Sequence, residues 1–288
     1  MFNRLLILIA ALFFVSACKT DPVPPVVVED TDYSDCLLTT NSNSLEVLTW
    51  NLKFFPATST AIGEIKNIIS NLNPDVIGLQ EINSANDFEV LVNKLEGWEG
   101  VISNTGNLNL GYLYKSSEIE VVESLSTPLE SNSSAFPRPP AVIKLKHAIG
   151  EIYIFDLHLK CCGGEENVAR RMEAARLLKE YIDINLSNEK VIVLGDYNDE
   201  IYSEDGSEVT FDLLKNDPDN YRFADMDIAI DESLGWSYPS WPSHIDHILV
   251  TNEFYSNEII TNTLLLDECN DFYFSQVSDH RPVMVSIK

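Results

Sequence analysis

The sequence predicts an α/β fold in which two β-sheets pack together and helices lie outside them. Apolar, β-rich segments alternate along the chain with segments whose apolar residues recur at helical spacing, which is typical of such folds. One pair of predicted strands is joined by a tight turn, so we do not expect purely parallel sheets. Hydrophobic residues make up 45% of the 288 residues, which is enough for a proper core.

Three strands and one helix are predicted in the first part of the chain. The segment LEVLTWNLKFF (45–55) is apolar and β-rich, which predicts a strand. In TSTAIGEIKNIISNL (58–72), threonine and serine precede isoleucines at helical spacing, which predicts a capped helix. The apolar run PDVIGLQEI (74–82) and the segment LGYLYKSS (110–117) predict two further strands.

One hairpin, one long helix and several strands are predicted in the second part. AVIKLKHAIGEIYIFDLHLK (141–160) predicts a hairpin that turns near Gly150. ENVARRMEAARLLKEYIDINL (166–186) is rich in alanine and leucine and has little to break a helix. After the strand KVIVL (190–194) we expect a loop with short helical pieces, and then strands in IDHILV, EIITNTLLL and RPVMVSIK.

Polar side chains that can bind metals or transfer protons stand at the ends of six of these strands. Taken alone, VLGDYNDE (193–200) is a polar turn, because glycine, aspartate and asparagine favour turns for backbone reasons. Similar groups recur in TWN, LQE, DLHLK, HIDHIL and SDHRP, which is hard to attribute to chance turns. The side chains are Asn51, Glu81, His158, Asp196, Asn198, Asp246, Asp279 and His280.

From about Leu45 to Lys288, the order of these motifs resembles the endonuclease/exonuclease/phosphatase superfamily. Its members include pancreatic-type deoxyribonucleases, inositol-phosphate phosphatases and bacterial sphingomyelinases. The resemblance implies a four-layer α/β/β/α sandwich of two packed mixed β-sheets flanked by helices. It also implies metal-dependent hydrolysis of a phosphoester at the ends of the strands.

The resemblance implies a metal site built from oxygen ligands. Mg²⁺ or Mn²⁺ prefers carboxylates, water and substrate phosphate, and Ca²⁺ is also compatible with oxygen ligands. Glu81 is the first predicted ligand, with Asn51 beside it and Asp279 as a further candidate. The structural alternatives are a surface acid at a strand end for Glu81 and a backbone-bracing amide for Asn51.

The resemblance also assigns catalytic roles. His280 is the predicted general base, and Asp246 orients its ring and stabilises the imidazolium. Asp196 and Asn198 position the attacking water and bind the phosphoryl oxygens. His158 contacts the phosphate or assists the leaving group; the alternative is a buried histidine that only satisfies its own hydrogen bonds.

Two more residues lie in motifs of the family. Arg138 in AFPRPPAVIKL resembles an arginine close to the scissile phosphate, which its planar fork can bind; a solvated loop arginine is the alternative. Tyr112 is predicted to be a packed strand tyrosine.

The sequence departs from the family pattern in three places. Pancreatic-type nucleases have a glutamate before the YLYK-like strand that orients the histidine matching His158, whereas this chain has asparagines in NTGNLNLGYLYK. Either an asparagine orients His158 or the ring is less polarised. The segment HLKCCGGEENVARRMEA adds Cys161 and Cys162, which form either a rigid, disulfide-bound substrate rim or a loop staple. The tryptophan-and-cysteine signature of inositol phosphatases is absent.

The N-terminus predicts export and lipid anchoring. Arg4 precedes an apolar run from Leu5 to Val15 that is too short to span a bilayer comfortably. VSAC resembles the lipobox of bacterial lipoproteins, so Cys18 becomes the first, lipidated residue; an ordinary signal with an incidental cysteine is the alternative. We predict a signal peptide at 1–17, a proline- and acid-rich tether at 18–44 and a catalytic domain at 45–288. The domain is then anchored in a bacterial cell envelope, on the periplasmic or the outer surface.

Four cysteines follow Cys18, and an exported chain permits disulfides. The adjacent cysteines could each bond a distant partner, and three pairings of the four are open. A zinc site is disfavoured because no pair has the spacing of such sites. The cysteines are Cys36, Cys161, Cys162 and Cys269.

The net charge of −26 disfavours tight binding of nucleic acid through a broad basic patch, but it permits cation-dependent contact at a local site. The first hypothesis is a monomeric, membrane-anchored nuclease that hydrolyses phosphodiester bonds. The second is a phosphatase or a sphingomyelinase- or phospholipase-type enzyme, for which the aromatics of GWSYPSWPS (235–243) could contact a bilayer or pack in the core. The third is a non-catalytic binding module, which would require a lost ligand, and none is missing.

Overall fold

The computed structural model describes residues 31–37, 44–207 and 209–288, and these form strands, short loops and helices in a regular order. The strands in chain order are β1 (Leu45–Phe55), β2 (Val76–Ile82), β3 (Trp98–Ile102), β4 (Asn109–Lys115), β5 (Glu120–Ser126), β6 (Ala141–His147), β7 (Gly150–His158), β8 (Lys190–Asp196), β9 (Tyr221–Phe223), β10 (Asp246–Thr251), β11 (Ile259–Thr263) and β12 (Val283–Ile287). The α-helices are α1 (Ala61–Leu72), α2 (Ala85–Lys94), α3 (Glu165–Asn185), α4 (Asp212–Lys215), α5 (Met226–Ile230) and α6 (Tyr273–Gln276).

The strands form two six-stranded mixed sheets. The first has the order β11-β12-β1-β2-β4-β3 and the second has the order β5-β6-β7-β8-β10-β9. Each sheet contains one parallel pair near its centre, β1 with β2 and β7 with β8, and every other pair is antiparallel. The helices α1 and α3 make the crossovers between the parallel strands, as parallel pairing requires.

Three hydrophobic clusters separate four layers. One cluster lies between the two sheets and includes Val47, Ile154 and Ile192. A second packs α1 and α2 on the outer face of the first sheet, and a third packs α3 on the outer face of the second. Because adjacent strand residues point to opposite faces, each central strand supplies both an inner and an outer cluster. The fold is therefore the predicted α/β/β/α sandwich of two packed mixed β-sheets flanked by helices.

The two crossover helices were predicted from their sequence patterns, and the structure confirms both helices. The predicted cap of α1 is wrong, because the Thr60 side chain makes no capping hydrogen bond. In α1 the buried residues recur at spacings of three and four, and the helix ends at Asn73 in the left-handed conformation. The hairpin at Gly150 is also present, with β6 and β7 in antiparallel register. Five of these strands and helices were not predicted, namely α2, β3, β5, β9 and α6. The edge strand β5 has mostly exposed residues and therefore no run of buried apolar residues.

Part of the predicted tether packs on the domain. Tyr33 is buried against the outer cluster of the first sheet, and its hydroxyl donates to Glu64 and accepts from Asn270. A disulfide joins Cys36 to Cys269, which selects one of the pairings left open by the sequence. The packed part of the chain thus includes residues upstream of Leu45, the predicted start of the domain.

The signal peptide, Cys18 and most of the tether lie outside the described residues, so these remain predictions. Among the helices in the described part of the chain, none has the length and hydropathy needed to cross a membrane.

Candidate active site

The ends of the two parallel strand pairs meet at one edge of the sandwich. Asn51 pairs with Gln80 in the first sheet, and His158 pairs with Asp196 in the second. Asn51, His158 and Asp196 follow inner-face residues by steps of two, so their side chains point between the sheets. In α/β sheets, ligands bind beyond the carboxyl ends of such strands. The apolar interior therefore ends in a polar cleft.

The Asn51 amide connects the two sheets. Its Nδ2 donates to Asp196 Oδ2 at 2.9 Å and lies 3.4 Å from Glu81 Oε1. Its Oδ1 accepts from the Lys53 backbone N–H at 2.9 Å. The Ser278 hydroxyl donates to the Asn51 carbonyl oxygen, which ties the segment before β12 to the end of β1.

A local break in strand pairing aims Glu81 into the cleft. Strict alternation would place Glu81 on the outer face, because Gln80 points inward. Glu81 has a φ of 62°, and the pairing of β2 shifts register between Leu79 and Ile82. A bulge of this kind redirects a side chain, and such strained residues cluster at functional sites. The Phe54 backbone N–H donates to Glu81 Oε2 at 2.9 Å and holds the carboxylate in place.

His280 and Asp246 form a buried pair on the opposite wall. His280 Nδ1 lies 2.7 Å from Asp246 Oδ2, so Nδ1 carries the proton and Nε2 is the second ring nitrogen available to the cleft. Burial lowers the pKa of His280, but the Asp246 carboxylate, with Asp196 and Asp279, outweighs burial and raises it to about 9. The Tyr238 ring packs on the imidazole with a centroid distance of 4.8 Å.

His158 differs from His280 in charge. Its Nε2 lies 3.5 Å from Asp196 Oδ2 and 3.7 Å from Glu81 Oε1. Burial lowers the pKa of His158 well below its usual value, and nearby Arg138 and His280 lower it further. A neutral His158 with its proton on Nε2 satisfies these contacts.

Among the described residues, no group orients the other nitrogen of His158. Its Nδ1 is buried and has no hydrogen-bond partner among the residues that the structure describes. Asn109, from the segment that lacks the family glutamate, donates instead to the Ile82 and Gly106 carbonyls. Of the two alternatives left by the sequence, the structure favours the less polarised ring.

Asp196 lies between the two histidines. Burial raises its pKa to about 7, with a further contribution from Asp246. The Asn198 backbone N–H donates to Asp196 Oδ1 at 2.8 Å. Gly195 precedes it with a φ of 139°, and a Cβ there would lie 2.1 Å from the Leu157 carbonyl oxygen. Glycine is thus required for β8 to approach β7 at the site.

Two predicted phosphate-binding side chains are already bonded to backbone. Arg138 donates from Nε to the His158 carbonyl at 3.0 Å and from Nη2 to the Leu159 carbonyl at 2.7 Å. Asn198 Nδ2 donates to the same Leu159 carbonyl at 3.3 Å. Both side chains brace the end of β7, so a phosphate contact would use their remaining polar atoms.

Asp279 lies at the edge of the cleft and forms an ion pair with Lys53, whose Nζ is 3.2 Å from Asp279 Oδ2. Tyr112 is the packed tyrosine that the sequence predicted, and its hydroxyl donates to the Ala141 and Ile154 carbonyls across the two sheets. In the 235–243 segment, Trp241 is 77% exposed.

The donor set of the cleft fits a hard divalent cation. Oxygens of Glu81 and Asp196 lie beside the same Asn51 nitrogen, so two acidic side chains share one point of the site. Carboxylate and amide oxygens are the ligands that Mg²⁺ and Mn²⁺ prefer, and Ca²⁺ accepts them too. Ligand atoms of Asp196, Asp246 and His280 also lie within 4.8 Å of one another. His280 in this group is already hydrogen-bonded to Asp246 through Nδ1.

Sequence reasoning missed a second buried cluster behind the site. Asp225 Oδ2 accepts from His247 at 2.6 Å and from His244 at 3.0 Å. His247 Nε2 contacts the Asp199 carbonyl at 3.0 Å, which ties the cluster to the loop after β8. Two of these residues stand in the motif HIDHIL, but Asp225 lies in a loop without a recognisable pattern.

The chain is similar to known proteins in its sequence pattern and in its fold. The model of the Endonuclease/Exonuclease/phosphatase family matches residues 48–280. Among curated proteins, no relative was found by sequence. A solved structure of D. rerio TDP2 complexed with single strand DNA product is 11% identical, with a TM-score of 0.68, and covers 85% of this chain and 99% of that chain.

Two further structures are similar. Truncated Caenorhabditis elegans TDP2 is 16% identical with a TM-score of 0.61, over 85% of this chain and 97% of that chain. The Bacteroides thetaiotaomicron mannosyl-6-phosphatase is 17% identical with a TM-score of 0.60, over 85% of this chain and 100% of that chain. These likenesses show the fold, and the family match covers most of the chain. The chain therefore belongs to the endonuclease/exonuclease/phosphatase family of phosphoesterases.

Proposed function

We propose that this protein is a divalent-metal-dependent nuclease that hydrolyses phosphodiester bonds by attack of water. The observation that carries the proposal is the convergence of two different groups of side chains in one cleft. The carboxylates of Glu81 and Asp196 lie on either side of the Asn51 amide nitrogen, and the hydrogen-bonded pair of His280 and Asp246 lies close to Asp196. One group fits a cation and the other fits proton transfer.

In this proposal, Glu81 and Asn51 would hold the cation, Asn51 through the Oδ1 that accepts from the Lys53 backbone N–H. Asp279, which pairs with Lys53, would be a further ligand. When bound, Mg²⁺ or Mn²⁺ would neutralise the phosphate oxygens and the site carboxylates, and it would thereby oppose the rise that those carboxylates cause in the pKa of His280.

His280 takes the proton of the attacking water at Nε2, because its Nδ1–H is bound to Asp246. The imidazolium that forms is stabilised by the same carboxylate. Asp196 accepts a hydrogen bond from that water, with Asn51 and the Asn198 backbone fixing the orientation of its two oxygens.

His158 supports the other side of the phosphate. Its neutral ring donates from Nε2 to a phosphoryl or leaving-group oxygen in place of the long contacts to Asp196 and Glu81. Arg138 fixes the carbonyl groups of His158 and Leu159, so the imidazole is held by a rigid strand end. Arg138 Nη1, which neither of these hydrogen bonds uses, can donate to the phosphate.

The proposal is tested with purified protein, supercoiled plasmid and a single-stranded oligonucleotide. We expect cleavage with Mg²⁺ or Mn²⁺ and none with EDTA. His280→Ala should lower the rate by ~10²–10⁴-fold, because it removes the general base. His147→Ala is the matched control, since His147 lies at the far end of the β6–β7 hairpin from His158. Intact substrates under every cation condition would contradict a nuclease.

A small phosphomonoester is the second candidate substrate. The net charge of −26 disfavours extended contact with a polyanion, and a similar structure is a mannosyl-6-phosphatase. The same metal and base would serve both reactions. A panel of mannose 6-phosphate, bis-p-nitrophenyl phosphate and sphingomyelin vesicles, assayed with the same preparation, separates a phosphatase, a diesterase and a lipid hydrolase.

We also propose that the protein is a monomer that is anchored to a bacterial membrane by a lipid on Cys18. The proposal rests on the apolar run, the VSAC motif and the proline-rich segment after it. Expression with a labelled fatty acid should label the wild type and leave Cys18→Ser unlabelled and in the soluble fraction. Equal labelling of both would contradict the anchor, and light scattering of the detergent-free domain would test the monomer.

A further inference from the structure

Two adjacent cysteines lie in the short segment between β7 and α3. Cys161 and Cys162 are not part of the Cys36–Cys269 disulfide, and their sulfur atoms are 2.8 Å apart. Cys162 has a φ of 76°, an uncommon conformation for a residue with a side chain. Cys162 is exposed and Cys161 is half-exposed, so both thiols can be reached from solvent.

The backbone of this segment is held on both sides by arginines. Arg138 binds the His158 and Leu159 carbonyls, as described above. Arg171 of α3, only 2% exposed, donates from Nη1 to the Lys160 carbonyl at 2.7 Å and to the Cys162 carbonyl at 3.0 Å. The two cysteines are therefore fixed close together before any bond forms between them.

The cysteine pair stands at the rim of the candidate active site. Arg171 also donates to the Asp199 carboxylate, in the loop that follows Asp196. Cys161 follows His158 by three residues, so the pair lies directly beyond the strand end that carries His158.

We propose that Cys161 and Cys162 close into a vicinal disulfide, which forms a rigid ring at the rim of the cleft. The Cys36–Cys269 disulfide indicates that the chain matures where disulfides form. Of the pairings that four cysteines allow, this is the one that remains once Cys36 is bonded to Cys269.

The contacts assign the order of the two thiols. Lys160 Nζ lies 3.7 Å from Cys161 Sγ, and the Cys162 thiol donates to that same sulfur, so Cys161 is the sulfur held in place to react first. The Cys161 thiolate attacks the sulfur of a small-molecule or protein disulfide and displaces one thiolate from it. The Cys162 thiolate then attacks Cys161 Sγ and displaces the second. The two cysteines lose two protons and two electrons, and the oxidant becomes two thiols.

This ring should open more easily than the other disulfide. Adjacent Cα atoms lie ~3.8 Å apart across a trans peptide, which is shorter than the ~4.4–6.8 Å of ordinary disulfides. The Cα atoms of Cys36 and Cys269 are 6.2 Å apart, within that range. Strained or exposed disulfides are the ones that weak reductants open first. The two bonds are thus expected to respond to different reductant strengths.

Opening the ring by reduction should change the affinity for substrate more than the rate of the chemical step. This consequence rests on the proposed function. The rim lies beside the cleft, whereas His280, Asp246 and Glu81 are held by contacts that do not involve the cysteines. We expect reduction to change KM several-fold and to leave kcat within about twofold.

The disulfide is tested on the Cys18→Ser chain, equilibrated with mixtures of reduced and oxidised glutathione, alkylated and analysed by mass spectrometry. We expect a peptide containing Cys161 and Cys162 that carries no alkyl group and is lighter than the dithiol by two hydrogen atoms. With rising dithiothreitol, this pair should be alkylated before Cys36 and Cys269. Cys162→Ser should instead give a glutathione adduct on Cys161.

Alkylation of both thiols under every oxidising mixture, while Cys36–Cys269 stays closed, would overturn the proposal. A crosslink from either thiol to Cys36 or Cys269 would overturn it as well. The mass measurement needs no enzyme activity, so failure of the proposed nuclease function would leave this test intact. If the disulfide forms but KM is the same in both redox states, the role at the rim is wrong.

Discussion

Replacing Asp246 by asparagine isolates the contribution of one carboxylate to the proposed base. Asp246 is fully buried and lies 2.7 Å from His280 Nδ1. The rise in the pKa of His280 from 6.5 to about 9 corresponds to roughly 3 kcal/mol of net stabilisation of the imidazolium, and Asp246 is the largest contributor to that rise. Losing most of this energy from the transition state would slow the reaction by roughly 10²-fold.

The substitution also changes the tautomer of the base. An asparagine can donate from its amide to Nδ1, which places the ring proton on Nε2, where the base needs a lone pair. Together the two effects predict a loss in kcat of ~10²–10⁴-fold for Asp246→Asn. Because removing the carboxylate lowers the pKa of His280, the acidic limb of the pH–rate profile should shift to lower pH.

The assay is hydrolysis of bis-p-nitrophenyl phosphate from pH 5 to 10 at saturating Mg²⁺, with circular dichroism to confirm folding. Asp156→Asn is the matched control, because Asp156 is equally buried and lies outside the proposed proton path. An Asp246→Asn enzyme with the wild-type rate and the same acidic limb would refute the role of Asp246 as the partner of the base.

Three predictions concern stability, measured by urea unfolding. Asp156→Asn should lower the free energy of unfolding by less than ~1.5 kcal/mol, because burial raises the pKa of Asp156 well above its usual range and so favours the neutral acid, which asparagine resembles. A loss above ~3 kcal/mol would mean a buried carboxylate. Gly195→Ala should lower the free energy of unfolding by about 3 kcal/mol, because the alanine Cβ would clash with the Leu157 carbonyl oxygen. A variant as stable as the wild type would show that β7 and β8 can move apart without cost. Asp225→Asn should lower the free energy of unfolding by ~3–5 kcal/mol, because it leaves His247 without its buried carboxylate partner. The pKa of His247 is raised, because Asp225 outweighs the effect of burial. The ion pair therefore stabilises the fold fully below about pH 6.5, and this stabilisation is lost as pH rises through the pKa of His247 in the folded state. The pKa of Asp225 is lowered, because the two histidines outweigh the effect of burial. Its stabilisation of the fold is therefore present above about pH 4 and is lost as pH falls through the pKa of Asp225 in the folded state. A wild-type free energy of unfolding that does not decline at alkaline pH would contradict the pairing of His247 with Asp225.

The layered fold could be predicted because its signals are local. Apolar, β-rich runs predicted the central strands, helical periodicity predicted α1, and a composition rich in alanine and leucine predicted α3. Because side chains alternate along a strand, Asn51, His158 and Asp196 share the inner face, although only the pairing of the strands shows that their ends meet. The edge strand β5 carried no such signal, because neither of its faces is fully buried.

Other features of the site depend on contacts that sequence patterns do not record. The inward direction of Glu81 comes from a bulge that strand alternation would not predict. The use of Arg138 as a backbone brace depends on two carbonyl groups that are distant in sequence. Likewise, the sequence left the cysteine pairing open, because it depends on Tyr33 and its neighbours packing near Cys269.

The most direct test of the metal-dependent site is the cation dependence of hydrolysis in wild type and Glu81→Gln, compared side by side. Both proteins are stripped with EDTA, and release of p-nitrophenolate from bis-p-nitrophenyl phosphate is followed as Mg²⁺ or Mn²⁺ is added. We expect no release before addition, full recovery of the wild type, and a cation requirement at least about tenfold higher for Glu81→Gln. Hydrolysis that persists in EDTA, or one cation curve for both proteins, would contradict a metal held by Glu81.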